Sequence, residues 1–186
     1  QIGTLTTTEV RAFSTAQAGA FTATQIGGLT TTQVGNFSTT QLNALTTTQT
    51  RGLTTAQLNG LTQANLDALD ASKFSTTQVS GLTTTSVSNL TTTQVGSLTT
   101  AEVGALTTSQ IGTLTTTEVR AFSTAQAGAF TATQIGGLTT TDVGNFSTTQ
   151  LNALTTAQTQ GLTTAQLNGL TQANLDALDA SKFSTT

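Results

Sequence analysis

The sequence predicts an all-α solenoid built from very short, capped helices, and two observations carry that expectation. An octapeptide, Leu-Thr-Thr-x-Gln-Val-Gly-x, begins at Leu5 and recurs through the chain, giving 21 complete octads. Within each octad, helix-starting, helix-stapling and helix-stopping residues stand in fixed register. A repeat this short cannot bury a core alone, so its stability has to come from stacking on its neighbours.

With Leu or Phe as position one, position two is Ser or Thr in every octad, as at Thr6, Ser14, Thr22 and Thr30. Position five is Gln or Glu in 17 of the 21, for example Glu9, Gln17, Gln25 and Gln33. Ser/Thr followed three residues later by Glu/Gln is a capping box, in which each side chain satisfies the other residue's orphan backbone N–H. Position six is apolar in 19 of 21, as at Val10, Ile26, Val34 and Leu42. Positions one and six flank the cap as the two halves of a hydrophobic staple. Position seven is mostly Gly or Asn (Gly19, Gly27, Gly35, Asn43), which predicts a left-handed residue ending the helix. Each octad therefore reads as about one helical turn plus a corner.

Other periodicities fit worse. Positions one and six are five apart, so a β-strand would send them to opposite faces. A continuous α-helix would set them about 140° apart and needs 3.6 residues per turn rather than four. A disordered Thr-rich tract does not require two apolar residues in strict register. Three octads per coil, a triangular prism with sides of about 12 Å, is the favoured stacking. Two octads per coil is the alternative.

The register is edited in one place. At Leu69-Asp70-Ala71-Ser72-Lys73 the octad loses its last three residues and Phe74 follows at once. Asp70 is the expected N-cap there, with Phe74 closing its staple while opening the next octad. The same shortened unit recurs at Leu178–Lys182 before Phe183, and with the nearby Asp67 and Asp176 it carries both lysines and half of the acids. A corner adjustment and a partner-binding ridge are the two readings of it. Residues 1–77 match 110–186 except at Gln33/Asp142, Thr48/Ala157 and Arg51/Gln160, which defines a 109-residue higher-order repeat. The domain organisation is then a single repeat array, 1–186. The chain starts in mid-repeat, so it is expected to be a piece excised from something longer.

Composition narrows the chemistry. Charged residues are 7% of the chain, the net charge is -3, and Cys and His are absent. So few bases leave little to neutralise phosphates, which disfavours nucleic acid and anionic membranes as partners. Disulfides and thiolate or imidazole metal ligands are excluded. No base is present to activate the abundant Ser and Thr, so no catalytic residue is expected. Eight acids in 186 residues do not supply repeated calcium cages. No cofactor-binding and no metal-binding residue is expected either, and Asp67 with Asp70 is only the nearest carboxylate pair. Thr50 and Thr159 stand where an apolar staple residue belongs and read as tolerated defects. Ala18 and Ala127 fill the same place beside Phe13, Phe21, Phe122 and Phe130, a small-for-large exchange within the core. No apolar run is long enough to span a membrane.

The motif Leu-Thr-Thr-x-Gln-Val/Ile, as in Leu90–Val95 and Leu106–Ile111, resembles the repetitive stretches of very large bacterial surface and secreted proteins, often labelled adhesins or haem-utilisation/adhesion proteins. The resemblance covers essentially the whole chain. It implies a structural extender, or stalk, holding a terminal binding domain away from the cell surface, with no catalytic residues in the repeats and an extracellular location. The haem label finds no support, because no His, Cys, Met or Tyr is present to ligate iron. The partners expected are flanking domains of a longer parent and, weakly, other copies of the array. Two alternatives stand beside the stalk: a repetitive surface of Thr rows that binds ice, glycans or itself, and a disordered tether.

Overall fold

In the computed structural model, residues 4–183 are described. Among them the chain is helical throughout: twenty-one α-helices, from α1 (Thr7–Ala12) to α21 (Gln172–Ala177), two 3-10 turns (Ala71–Lys73 and Ala180–Lys182), and no strand. The all-α solenoid of very short helices is what the octad predicts.

The caps follow the sequence register. Thr30, in extended backbone (φ -71, ψ 158), precedes α4 (Thr31–Gly35). Its Oγ1 accepts from the Gln33 N–H at 3.2 Å, and the Thr30 N–H donates to Gln33 Oε1 at 2.8 Å. The same reciprocal pair recurs from Thr6/Glu9 to Thr163/Gln166. Where position five is Asn or Ser (Asn65, Ser86, Asn174), only the Thr side chain caps. There the position-five side chain is spent elsewhere: Asn65 and Asn174 donate to the Gly35 and Gly144 carbonyls at 2.9 and 3.3 Å, and the Ser86 hydroxyl meets Thr83 Oγ1 at 2.9 Å. Asp142 does reach, accepting from the Thr139 N–H at 3.0 Å. The staple residues form the interior: Leu29, Val34, Phe37, Leu42 and Leu45 are all buried.

The helix stop differs from the left-handed ending that position seven predicts. No described residue, glycine or otherwise, has a positive φ. Gly28 and Gly112 remain right-handed (φ -82, ψ -7 and φ -64, ψ -9). The last turn closes instead by a three-residue bond from the position-one N–H to the position-six carbonyl, as in Leu29 to Ile26 at 3.1 Å. Two extended residues then make the corner, for example Phe122 (ψ 132) and Ser123 (ψ 164). The need for glycine arises from packing between helices. A Cβ at Gly52 would lie 2.5 Å from the Ala23 carbonyl oxygen, and one at Gly136 would lie 2.5 Å from that of Gly161. Gly35 and Gly144 meet nothing within 4 Å, so the demand is local.

The chain divides into two compact units, 1–94 and 95–186. In the first, α3 (Ala23–Gly27) packs on α6 (Thr47–Gly52), α4 on α7 (Thr55–Asn59), and α6 on the 3-10 turn Ala71–Lys73. In the second, α16 (Ala132–Gly137) packs on α19 (Thr156–Gly161), α17 (Thr140–Asn145) on α20 (Thr164–Gly169), and α19 on the 3-10 turn Ala180–Lys182. Within each unit an element thus meets the third element after it. Edge-to-face rings pair in both units, the half-buried Phe13–Phe21 at 5.3 Å in the first and the buried Phe122–Phe130 at 5.3 Å in the second. Ala18 and Ala127 are fully buried.

Candidate functional site

The most regularly repeated geometry among the described residues is a register of buried side-chain amides at position five. The capping box uses one end of each glutamine and leaves the NH₂ group unassigned. The structure turns that NH₂ inward, towards the unit three places earlier. Gln57, 2% exposed, accepts from the Thr54 N–H through Oε1 at 2.7 Å. Its Nε2 donates to the carbonyls of Ile26 at 2.9 Å and Leu29 at 2.7 Å, 31 and 28 residues away. Gln150 repeats this in the second unit, with Ser147 N–H on Oε1 at 2.8 Å and the Val119 and Phe122 carbonyls on Nε2 at 2.8 and 2.7 Å. Gln33, Gln41, Gln49, Gln158 and Gln166 all donate across the same 28-residue step.

These bonds answer a specific need. A helix of four to six residues leaves most of its carbonyls without an intrahelical donor. The carbonyls at positions six and one face the solenoid interior, where water is excluded and an unmade bond is costly. One glutamine caps its own helix and satisfies the end of an earlier one. An ionised glutamate can do only the first. Glutamate and aspartate at position five keep that capping half, as Thr99 N–H to Glu102 Oε2 at 2.6 Å and Thr115 N–H to Glu118 Oε2 at 2.6 Å show. The sequence did hold a signal: position five is Gln 14 times and Glu 3 times, whereas capping alone accepts either.

The shortened unit is the same device with a different residue. Counting from Leu69 as position one, Asp70 is position two and Lys73 position five. Asp70 is the N-cap, as the sequence predicts, but of a 3-10 turn: its Oδ1 accepts from the Ser72 N–H at 3.1 Å and the Ser72 hydroxyl at 2.6 Å. Lys73 Nζ donates to the Leu45 carbonyl at 2.8 Å, again 28 residues back, and lies 3.7 Å from Asp70 Oδ2. Phe74, fully buried, ends this unit and precedes the N-cap Ser75 of the next helix, filling both staple roles expected of it. The copy is faithful: Asp179 caps Ser181, and Lys182 Nζ donates to the Leu154 carbonyl at 2.7 Å. Lysine therefore supplies the missing amide donor, while an ion pair replaces the capping box.

The electrostatics fit this assignment. The Ser72 hydroxyl, above all, holds the Asp70 carboxyl below its ordinary value, with Lys73 adding to the effect. Ser181 does the same for Asp179, and the Thr6 N–H lowers Glu9. Asp67 and Asp176 each accept from a neighbouring glutamine, Gln63 and Gln172, at 2.6 Å. The carboxylates near the shortened units are thus engaged one by one. Among the described residues no group of three or more acids is placed to hold a metal. An open groove beside the first shortened unit is lined by Thr39, Thr40, Asn43, Ala64, Asp67 and Ala68.

Thr50 and Thr159, the polar residues at position six, are both buried. Thr159 Oγ1 is buried and makes no hydrogen bond. Both lie on helices drawn close to a neighbour: a Cβ at Gly27 would sit 2.7 Å from Gly52 O, and Gly136 and Gly161 pair likewise. No described helix is long and apolar enough to cross a membrane.

A family model, the ALTTAQ repeat, matches residues 1–31, 88–116, 103–140 and 137–172. No curated protein matches the chain.

Proposed function

The chain belongs to the ALTTAQ repeat family, and from that premise we propose that it is a non-enzymatic spacer: a stalk segment of a bacterial cell-surface adhesin that projects a binding domain. The observation that carries this reading is the glutamine register. Buried polar side chains such as Gln57, Gln78, Gln150 and Gln166 spend their hydrogen bonds on the chain's own backbone. Such a device lengthens a structure without preparing a reaction. An octad with Gln at position five brings one cap, one staple and one donor for the unit three places before it. The 28-residue step also supports three octads per coil, in the triangular prism that the octad's dimensions suggest. Length then follows repeat number, which is the property a spacer needs.

A second reading draws on one specific observation. The threonines at positions two to four, for example Thr6, Thr7, Thr8, Thr30, Thr31 and Thr32, are exposed in rows. Such rows could bind ice or glycans, and thermal hysteresis tests the first directly. For the spacer, the test is small-angle scattering on arrays that differ by whole groups of three octads. Adjacent helices pack about 8–10 Å apart, so each added group should extend the maximum dimension by about that much. Growth as a compact globule would refute the proposal.

A further inference from the structure

Asparagine at position eight gives the repeat a consequence beyond capping and packing. Position one is never Pro and position two is always Ser or Thr, so Asn at position eight completes an Asn-x-Ser/Thr acceptor sequence. This occurs three times: Asn36-Phe37-Ser38, Asn89-Leu90-Thr91 and Asn145-Phe146-Ser147. All three asparagines are half-buried at helix corners, yet the fold treats their side chains differently. Asn36 Nδ2 donates to the Thr32 carbonyl at 2.8 Å and to Thr7 Oγ1 at 3.2 Å, occupying both amide hydrogens. Asn145 Oδ1 accepts from Thr116 Oγ1 at 2.7 Å, which pins the amide by its other end. Asn89, the C-cap of α10 (Thr84–Ser88), uses its backbone carbonyl to accept from Gln63, while its side-chain amide has no hydrogen-bond partner.

We propose that Asn89 is an acceptor for N-linked glycosylation from a nucleotide-activated hexose, and that the fold ranks it ahead of Asn145 and then Asn36. In the transfer, the bond between the anomeric carbon and the donor's phosphate oxygen breaks, and its electron pair leaves with the nucleoside diphosphate. The anomeric carbon bonds to Asn89 Nδ2, and the displaced amide proton passes to a base of the transferase. Freeing the attacking nitrogen breaks two side-chain hydrogen bonds at Asn36 and none at Asn89, while the position-two hydroxyl of every acceptor sequence, such as Thr91 on Gln94, must also leave its cap. The proposal is independent of the spacer reading.

The folded chain is incubated with UDP-glucose and a soluble sequon-specific N-glucosyltransferase, and each site is followed by peptide mass spectrometry. Peptides 32–40, 85–93 and 141–149, which lack the bonds between units, give the rate intrinsic to each acceptor sequence. The ratio of folded to peptide rate should be highest at Asn89 and roughly thirtyfold lower at Asn36, in keeping with the loss of two ordinary hydrogen bonds. Asn89→Gln should abolish the hexose at that site and leave the circular dichroism unchanged. No transfer to Asn89 in the folded chain, or equal ratios at all three sites, would overturn the proposal.

Discussion

Replacing Gln57 by Glu separates the two jobs of the position-five side chain. The substitution keeps shape and volume, and it keeps the acceptor that caps Thr54. It removes the NH₂ that serves Ile26 and Leu29 and sets a carboxylate oxygen against those two carbonyls. Each lost bond is worth about 1 kcal/mol, and leaving buried carbonyls unsatisfied beside a buried charge adds to that. A total of about 3 kcal/mol is expected at neutral pH, a factor of more than a hundred in the local opening equilibrium. Gln25→Glu is the matched control. Gln25 is exposed and makes only the capping bonds with Thr22, so its replacement should cost well under about 1 kcal/mol. Urea unfolding followed by far-ultraviolet circular dichroism reads both, with hydrogen exchange of the Ile26–Leu29 region reporting local opening. The sign with pH is also fixed. Burial against carbonyl oxygens favours the neutral acid, so the introduced carboxyl has a raised folded-state pKa. Stability is therefore fully present below the unfolded value of about 4.3 and is lost as pH rises through the folded one. A Gln57→Glu chain as stable as the control at pH 7, or one that gains stability between pH 4 and 7, would refute the role given to the amide.

Three further outcomes follow from the packing. Thr159→Val keeps the shape while deleting the unpaired buried hydroxyl, so it should stabilise the second unit by about 1 kcal/mol in a thermal melt; a loss of stability would show that the hydroxyl finds a partner. Gly52→Ala places a Cβ 2.5 Å from Ala23 O and should cost about 1–3 kcal/mol. Gly35→Ala meets open space and should instead be neutral or stabilising by about 0.5–1 kcal/mol; identical effects would return the glycines to a purely conformational role. The lowered pKa of Asp70 means that its contribution is present above the unfolded carboxyl value and disappears as pH falls through the folded one. Asp70→Asn should flatten that part of the acid-unfolding curve, and an unchanged curve would contradict it.

What was legible in the sequence was everything governed by neighbours within one octad. The Thr30/Gln33 box, the Leu29 and Val34 staple, and the double duty of Phe74 all involve residues a few positions apart, where register alone fixes contact. The second half of the glutamine's work was hidden because its partners lie 28 and 31 residues away, and a capping box does not ask whether its acceptor also donates. Lys73 was hidden for the same reason: as a charged residue near acids it looks like a surface group, and only the Leu45 carbonyl explains it. The glycines misled for a different reason. Gly at a helix end signals a left-handed stop, yet Gly27, Gly52, Gly136 and Gly161 stay right of that region and serve the close approach of α3 to α6 and of α16 to α19. A local rule was applied to a residue chosen by a distant neighbour.

The absence of cysteine from the chain allows the central claim, that each octad stacks on the third before it, to be tested by one cross-link. A Cβ at Gly60 would lie 3.5 Å from Thr31 Cβ, within the range that a disulfide spans. Thr39 takes the place of Thr31 if two octads make a coil. Under mild oxidation Thr31→Cys/Gly60→Cys should close quantitatively without loss of helicity, and Thr39→Cys/Gly60→Cys should stay reduced. Closure of the second pair in place of the first would contradict the three-octad register on which the account rests.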